Sequence, residues 1–342
     1  MKKAFLAALT GVQVVAWSLA PAQAGQTLRV ADSFPQGHYI IREMLDPWMA
    51  EVTKRTNGAV TFDHFPAQQM GKAADILAMT QAGAIDIGYV SPSYSSDKMP
   101  FSAVAELPGA SKTSCEGTLA YWKLAQEGIL NTLDFKPNHI RILLALVLPQ
   151  YHILTSRTVI NTLEDAKGLK LRSTGGAQDL ALRTLGAVPV RMAAPDAYEA
   201  LSRGTLDGLL FPLESVVSYG MDKLVRQGTL GVGFGSFVVT YSISEALWNR
   251  LSPEVREAMI SAGDDIVPKT CAQVQKAESE SQGKLAAGGV TFTEIGPDAR
   301  QQFEGMLSRV SSEWAENLDK RGKPGTDVLK AFTAAVASAP AQ

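Results

Sequence analysis

The chemistry in this chain is concentrated between Leu163 and Pro212, and its centre is Arg172, in the run GLKLRSTGG. Leu169 to Arg172 alternates apolar and basic residues, the pattern of a half-buried strand. Gly175 and Gly176 break that pattern, and Ala177 to Leu185 reads as a helix with one apolar face. Arg172 is therefore expected where a strand gives way to a loop and a helix start, with Ser173 and Thr174 beside it. In an open α/β sheet, ligands bind beyond the carboxyl ends of the strands. A guanidinium in that place is permanently charged, and its planar fork of N–H donors matches a carboxylate. The competing fate for such an arginine is a solvated surface ion pair.

A second set of candidates is aromatic. Phe34, Tyr39, Tyr89, Tyr94, Tyr151, Phe211 and Phe234 all fall at expected strand ends. Most aromatics are core residues, but rings gathered at strand ends around a few polar anchors wall a pocket for an apolar ligand body. His38, in SFPQGHY after the first strand, either lines a cleft by the same rule or is an ordinary loop histidine. Gln150 and Tyr151 stand where the chain passes from one half to the other.

The remaining residues argue against catalysis. His38, His64, His139 and His152 show no i, i+4 pairing and no adjacent cysteine, so no metal site is expected. Gly233-Phe234-Gly235-Ser236 lacks the glycine two places after the serine that a nucleophile elbow needs. GTLGVGFG lacks the lysine and spacing of a phosphate loop. Glu164, Asp165, Asp196 and Asp207 sit on different elements. Asp196 reads as a helix N-cap and Asp207 as a turn residue before Gly208. No catalytic group and no cofactor are expected.

Positioning these residues requires alternating strands and helices. Leu28 to Ala31, Val60 to Phe65 and Ile85 to Val90 read as strands. Helices are expected over Ile41 to Thr56, Gly71 to Gly83 and 112–130. Ile140 to Leu148 is a near-continuous apolar strand of a buried sheet. The alternation restarts at Tyr151, with strands near 151–155, 169–172, 188–191 and 206–211. This is the pattern of two α/β lobes built on mixed or parallel sheets. They join near Val147 to Gln150, with a second crossing near Gly231 to Phe237 and a long polar helix over 265–285. The expected division is 25–149 plus about 238–282 in lobe one, 150–237 plus about 283–333 in lobe two, and a frayed tail over 334–342.

Length and composition agree with this division. The chain has 342 residues, enough for two cores. Lys2 and Lys3, the apolar run Ala4 to Ala20 and Ala22-Gln23-Ala24 form a Sec-type signal peptide over 1–24, with cleavage before Gly25. Removal of the two lysines takes the formal charge from −2 to −4. A mildly acidic chain without basic runs is a poor nucleic-acid binder. An exported chain with two cysteines, Cys115 and Cys271, permits one disulfide, and two buried free thiols are the other reading.

The order of segments resembles the solute-binding proteins of TRAP (tripartite ATP-independent periplasmic) transporters, the DctP-like family. GLKLR, LGAVPV, DAYEAL and TLDGLLFP follow one another as that family's strand–strand–helix–strand series does. TFDHFPAQQMGKAADILAMTQAGAIDIGYVSPSY and ALWNRLSPEVREAM extend the likeness over nearly the whole exported chain. The resemblance implies a two-lobe periplasmic-binding-protein-like α/β fold with a hinge and an interlobe ligand cleft. It implies Arg172 as the carboxylate-binding arginine, an organic acid as ligand, a TRAP membrane permease as partner and a periplasmic location. It places Cys115 and Cys271 in the same lobe. A binding protein of an ATP-driven importer, or a periplasmic enzyme on the same scaffold, are the alternatives.

One departure bears on the ligand. Phe211 stands before Pro212, where family members that bind polar acids often carry a polar residue such as Asn. His152 and Arg191 are the remaining candidates for a second charge clamp. The expectation is a monocarboxylate with an apolar or aromatic body, or a small keto or hydroxy acid. Phe34, His38 and Tyr89 would come from one lobe, and Arg172, Ser173, Thr174 and Phe211 from the other.

Overall fold

The computed structural model describes residues 25–339. The expected signal peptide lies outside the described residues. The first elements are β1 (Gln26–Ala31), α1 (Asp46–Arg55), β2 (Val60–Phe65), α2 (Ile76–Gln81), β3 (Ile87–Tyr89), α3 (Ser114–Gln126) and β4 (Ile140–Val147). There follow β5 (His152–Thr155), α4 (Leu163–Ala166), β6 (Lys170–Ser173), α5 (Gly176–Thr184), β7 (Val188–Arg191), α6 (Ala194–Ser202), β8 (Gly208–Phe211), α7 (Leu213–Ser218) and β9 (Gln227–Leu230). The chain then returns through β10 (Val238–Ser244), α8 (Glu245–Trp248), α9 (Pro253–Ala287), β11 (Thr291–Glu294), α10 (Pro297–Asp319) and α11 (Gly325–Ala337).

The strands form two mixed sheets, in the orders β2-β1-β3-β10-β4 and β11-β9-β5-β8-β6-β7. In the first, β1 pairs in parallel with β2 and β3, and β10 runs antiparallel between β3 and β4. In the second, β6 is parallel to β7 and β8, while β5 is antiparallel to β8 and β9. The apolar run of β4 has α3 and α9 packed on it, so its residues after Arg141 are all buried. Thr113 caps α3 by accepting from the Glu116 N–H at 3.1 Å. Cys115 on α3 and Cys271 on α9 form a disulfide, with Cα atoms 5.0 Å apart.

The two crossings lie side by side. Leu148 N donates to Phe237 O at 2.9 Å and Tyr151 N to Gly235 O at 2.8 Å, so Leu148–Tyr151 and Gly231–Phe237 make a short two-stranded hinge. Gly235 has φ +108° there, and a Cβ on it would stand 2.6 Å from the Glu106 carbonyl, so only glycine fits. The third connection is α9. Ser252 caps it by accepting from Val255 N at 3.3 Å, and it runs for 35 residues, well beyond the expected 265–285. It packs on α1, α3 and β4 of the first layer and on α7 of the second. At Gly263 it passes so near β4 that a Cβ would meet the Leu143 carbonyl at 2.6 Å.

Two expectations differ from the structure at the edges. The second helix covers only Ile76–Gln81, because 67–75 is a loop with Ala67 and Gln68 at positive φ, held by Ala73 N donating to Gln68 Oε1 at 3.0 Å. At the C-terminus, α11 continues to Ala337, past the expected start of the frayed tail at Ala334. Alanine is the best helix former, and Val328, Phe332 and Ala335 give this helix a buried stripe. This helix packs on both α10 and α3.

Candidate functional site between the two sheets

β6 is buried after Lys170, and it delivers Arg172 into the interior with 1% of its surface exposed. The guanidinium donates to Met192 O from Nε at 3.1 Å, to Leu210 O from Nη1 at 3.4 Å and to Tyr94 Oη from Nη2 at 3.4 Å. It lies over the Phe211 ring, 4.8 Å from the centroid. None of these partners carries a charge. The positive field of Arg172 reaches Glu106, but that carboxyl already accepts from Val238 N at 3.0 Å and from the Ser93 hydroxyl, and burial pushes its pKa up to about 7. A cation taken out of water without an anion costs several kcal/mol.

The surroundings form a closed loop of contacts. From Arg172 the loop runs to Phe211, on to Tyr219 (5.8 Å between centroids) and then to His38 (5.1 Å). From His38 it returns through Phe34 (4.6 Å), Tyr89 (4.5 Å) and Tyr94 (6.5 Å), whose hydroxyl accepts from Arg172. Arg172, Phe211 and Tyr219 come from the second sheet and the helix after it. His38, Phe34, Tyr89 and Tyr94 come from loops and a strand of the first. Tyr151, from the hinge, stands 6.2 Å from Phe211. Burial raises the hydroxyls of Tyr89, Tyr151 and Tyr219 well above the usual phenol range, and each feels the Tyr94 hydroxyl. These phenols stay protonated and close together.

His38 is a neutral donor here. Burial, aided by Arg42, lowers its pKa to about 3. Its Nδ1 accepts from Ile40 N at 3.3 Å, so Nε2 carries the proton, and buried Nε2 has no hydrogen-bond partner among the described residues. The Thr174 hydroxyl is likewise buried without one. Each such group costs on the order of 1–3 kcal/mol until something pairs with it.

Other side chains hold this set in place. Asp32 Oδ1 accepts from Phe34 N at 2.9 Å, and its Oδ2 takes Tyr241 Oη at 2.9 Å and His64 Nε2 at 2.7 Å. Glu278 of α9 accepts from Leu213 N at 2.7 Å and Glu214 N at 3.0 Å, so it caps α7, which carries Ser215 and leads to Tyr219. Tyr39 Oη lies 3.2 Å from Ser215 Oγ, a contact between the halves.

Several residues singled out from sequence stand elsewhere. The Ser173 hydroxyl bonds Asp179 at the start of α5. Gln150 donates to Ser111 O at 3.0 Å and, with Lys112, Gly233 and Glu304, lines a separate groove of about 620 Å³. Phe234 packs edge-on against Phe303 of α10, 5.6 Å away. Arg191 is occupied with Ser93 O at 2.9 Å and Ser96 Oγ at 3.2 Å, and His152 Nδ1 with Thr229 O at 2.9 Å. Tyr219 joins the loop although no sequence pattern pointed to it. It follows a six-residue helix, and the only local signal is the turn at Gly220.

Two α/β halves on a glycine-bearing hinge, closed around a buried cation, define a two-lobed solute-binding protein. The chain belongs to the bacterial extracellular solute-binding protein family 7, whose profile matches residues 30–317, and it is an extracytoplasmic solute-binding protein of the TRAP type. It is 26% identical over 299 residues to the C4-dicarboxylate-binding periplasmic protein DctP of Rhodobacter capsulatus, with 83% of each chain covered. A TRAP solute-binding protein from Rhodoferax ferrireducens, solved with copurified benzoate, superposes with a TM-score of 0.84 at 25% identity, covering 91% of this chain and 98% of that one. A Bordetella bronchiseptica TRAP solute-binding protein, solved with (R)- and (S)-mandelate, superposes with a TM-score of 0.82 at 23% identity, covering 91% and 99%.

Proposed function

We propose that this protein captures an organic acid with one carboxylate and an apolar or aromatic body, closes around it, and hands it to a TRAP membrane permease without chemical turnover. The observation that carries the reading is Arg172, a fully buried guanidinium with only neutral partners, framed by six aromatic side chains. A carboxylate supplies the missing charge in bidentate form. Among the described residues around Arg172, a second carboxylate would meet no free cation: Arg191 is bonded across the halves, and burial favours the neutral forms of His38 and His152. Benzoate and mandelate in the two solved relatives support an aromatic monocarboxylate. The lobe boundaries that go with this reading are 25–149 with about 238–282, and 150–237 with about 283–333. Export through a signal peptide over 1–24 belongs to the same proposal.

A calorimetric panel of benzoate, mandelate, phenylacetate, pyruvate, lactate, succinate and malate tests it. At least one monocarboxylate should bind more tightly than both dicarboxylates. If succinate or malate binds more tightly than every monocarboxylate, the single-carboxylate reading is wrong.

A further inference from the structure

The loop of side chains around Arg172 has a second polar station. Along one arc, Phe211 and Tyr219 separate Arg172 from His38. Along the other, Tyr94, Tyr89 and Phe34 do. His38 therefore stands across the loop from the cation, between a ring of the first lobe (Phe34) and one of the second (Tyr219). Its exposure is 2%, and its Nδ1 is fixed as an acceptor by Ile40 N, so Nε2 presents a hydrogen that no described residue accepts. Two hydroxyls nearby are already engaged, while the Thr174 hydroxyl on the Arg172 side is open like His38 Nε2. Tyr39 Oη lies against Ser215 Oγ, and Tyr94 Oη accepts from both Arg172 and Ala194 N (3.1 Å).

We propose that His38 is the specificity-determining second anchor of the ligand, donating from Nε2 to a neutral oxygen at the end of the acid remote from its carboxylate. The inference rests on the carboxylate reading of Arg172 and adds a ligand class: aromatic acids bearing a hydroxyl, ether or keto oxygen away from the carboxylate. A neutral imidazole N–H suits such an oxygen and supplies no countercharge for a second carboxylate. The flanking rings accept the flat body between the two ends.

The test compares matched acids by calorimetry: benzoate with 3- and 4-hydroxybenzoate, phenylacetate with 3- and 4-hydroxyphenylacetate, and 3-phenylpropanoate with its ring-hydroxylated forms. At least one hydroxylated acid should bind the native protein about tenfold more tightly than its parent, the scale of one buried neutral hydrogen bond. His38→Phe should bring that ratio to within about threefold, and His38→Gln, which keeps an N–H donor, should restore part of it. The inference is overturned if parents bind and no hydroxylated form is preferred, or if His38→Phe keeps the preference. Should His38→Phe fail to fold, the ring ¹⁵N signals of His38 in the native protein decide. Nε2 should shift with the hydroxylated acid and not with its parent, and equal shifts refute the proposal. Arg172→Ala, run alongside, should weaken parent and hydroxylated acids alike. If it leaves both unchanged, the carboxylate reading fails first and takes this inference with it, a result distinct from loss of the ratio alone.

Discussion

Replacing Arg172 separates binding from folding, because the same side chain plays opposite parts in the two. In the closed structure it makes three hydrogen bonds to neutral groups and lies over one ring. Those contacts contribute about 1 kcal/mol each, against a burial cost of several kcal/mol for a cation without a countercharge. Arg172→Met removes both, and unliganded stability should stay within about 2 kcal/mol of native or rise. Binding should fall by about 2–5 kcal/mol, the penalty for truncating one side of a desolvated charge pair, or roughly thirtyfold to several thousandfold in Kd. Arg172→Lys should recover only part, since the planar fork is lost. At a ligand concentration 100 times Kd the native protein gains about 2.7 kcal/mol. For the 315 residues from 25 to 339, at about 2.1 cal/mol/K per residue, that raises Tm by about 4 °C. Differential scanning calorimetry of native and variant protein, with and without the acid chosen by the panel, reads both effects. A variant that keeps the ligand-induced rise in Tm, or loses more than about 3 kcal/mol without ligand, refutes the argument.

Three other outcomes are expected. Phe211→Asn should weaken an aromatic monocarboxylate by on the order of 1–3 kcal/mol through lost ring burial, and an unchanged Kd in the same calorimetric assay would show that Phe211 does not face the ligand. Reduction of Cys115–Cys271, which closes a loop with a sequence separation of 156, should cost about 2–5 kcal/mol in urea unfolding, most of it reproduced by a double alanine variant. Glu278, held by burial at a pKa of about 7, binds its proton more tightly folded than unfolded, so its ionisation destabilises the native state as pH rises from about 4.5 to 7. Between those pH values, Glu278→Gln should gain on native by on the order of 3 kcal/mol, at about 1.4 kcal/mol for each tenfold change in proton affinity. The difference curve separates Glu278 from His38, whose lowered value acts with the opposite sign, while His152 Nε2 lies 3.8 Å from Glu278 Oε1 and moves with it; a flat curve would contradict the reasoning.

The strands were legible because side-chain alternation and apolar runs are local properties. β7 occupies Val188–Arg191, as expected, and β4 and β6 differ from expectation by a residue. Arg172 was legible for the same reason, as a charge at the end of an apolar strand. Gln150 and Phe234 were weighed by their nearness to the crossings, but a hinge ribbon has two faces. Gln150 lies on the groove side with Gly233 and Lys112, and Phe234 turns to Phe303. Nothing in a single strand's pattern tells which face meets the ligand. Tyr219 was hidden because its role exists only once α7 is capped by Glu278, 59 positions later, and set against the loop that holds His38. The docking of α11 on α10 and α3 was hidden likewise, since a stripe of small apolar residues fits many partners.

The balance of contacts between the halves explains why a ligand should control closure. Without one, the closed state gains the contacts of Arg191 with Ser93 and Ser96, of Tyr39 with Ser215, and of Tyr94 with Arg172 and Ala194, about 1 kcal/mol each. Against that gain stand, among the described residues, a buried guanidinium without an anion, a His38 N–H without an acceptor and a Thr174 hydroxyl without a partner. Together these costs match or exceed the gain, so the empty protein has little reason to stay shut. On the proposed reading, a carboxylate with a distal oxygen would satisfy Arg172 and His38 in one step, and only in the closed state, because the two stand on different halves. Differential affinity of this kind is what lets a ligand shift a conformational equilibrium. A swing from mostly open to mostly closed requires about 5.5 kcal/mol, within reach of one desolvated charge pair and one buried hydrogen bond formed together. An acid that met Arg172 alone would bind yet close the lobes less completely, so a permease that senses closure would discriminate among acids by their far end as well as by their carboxylate.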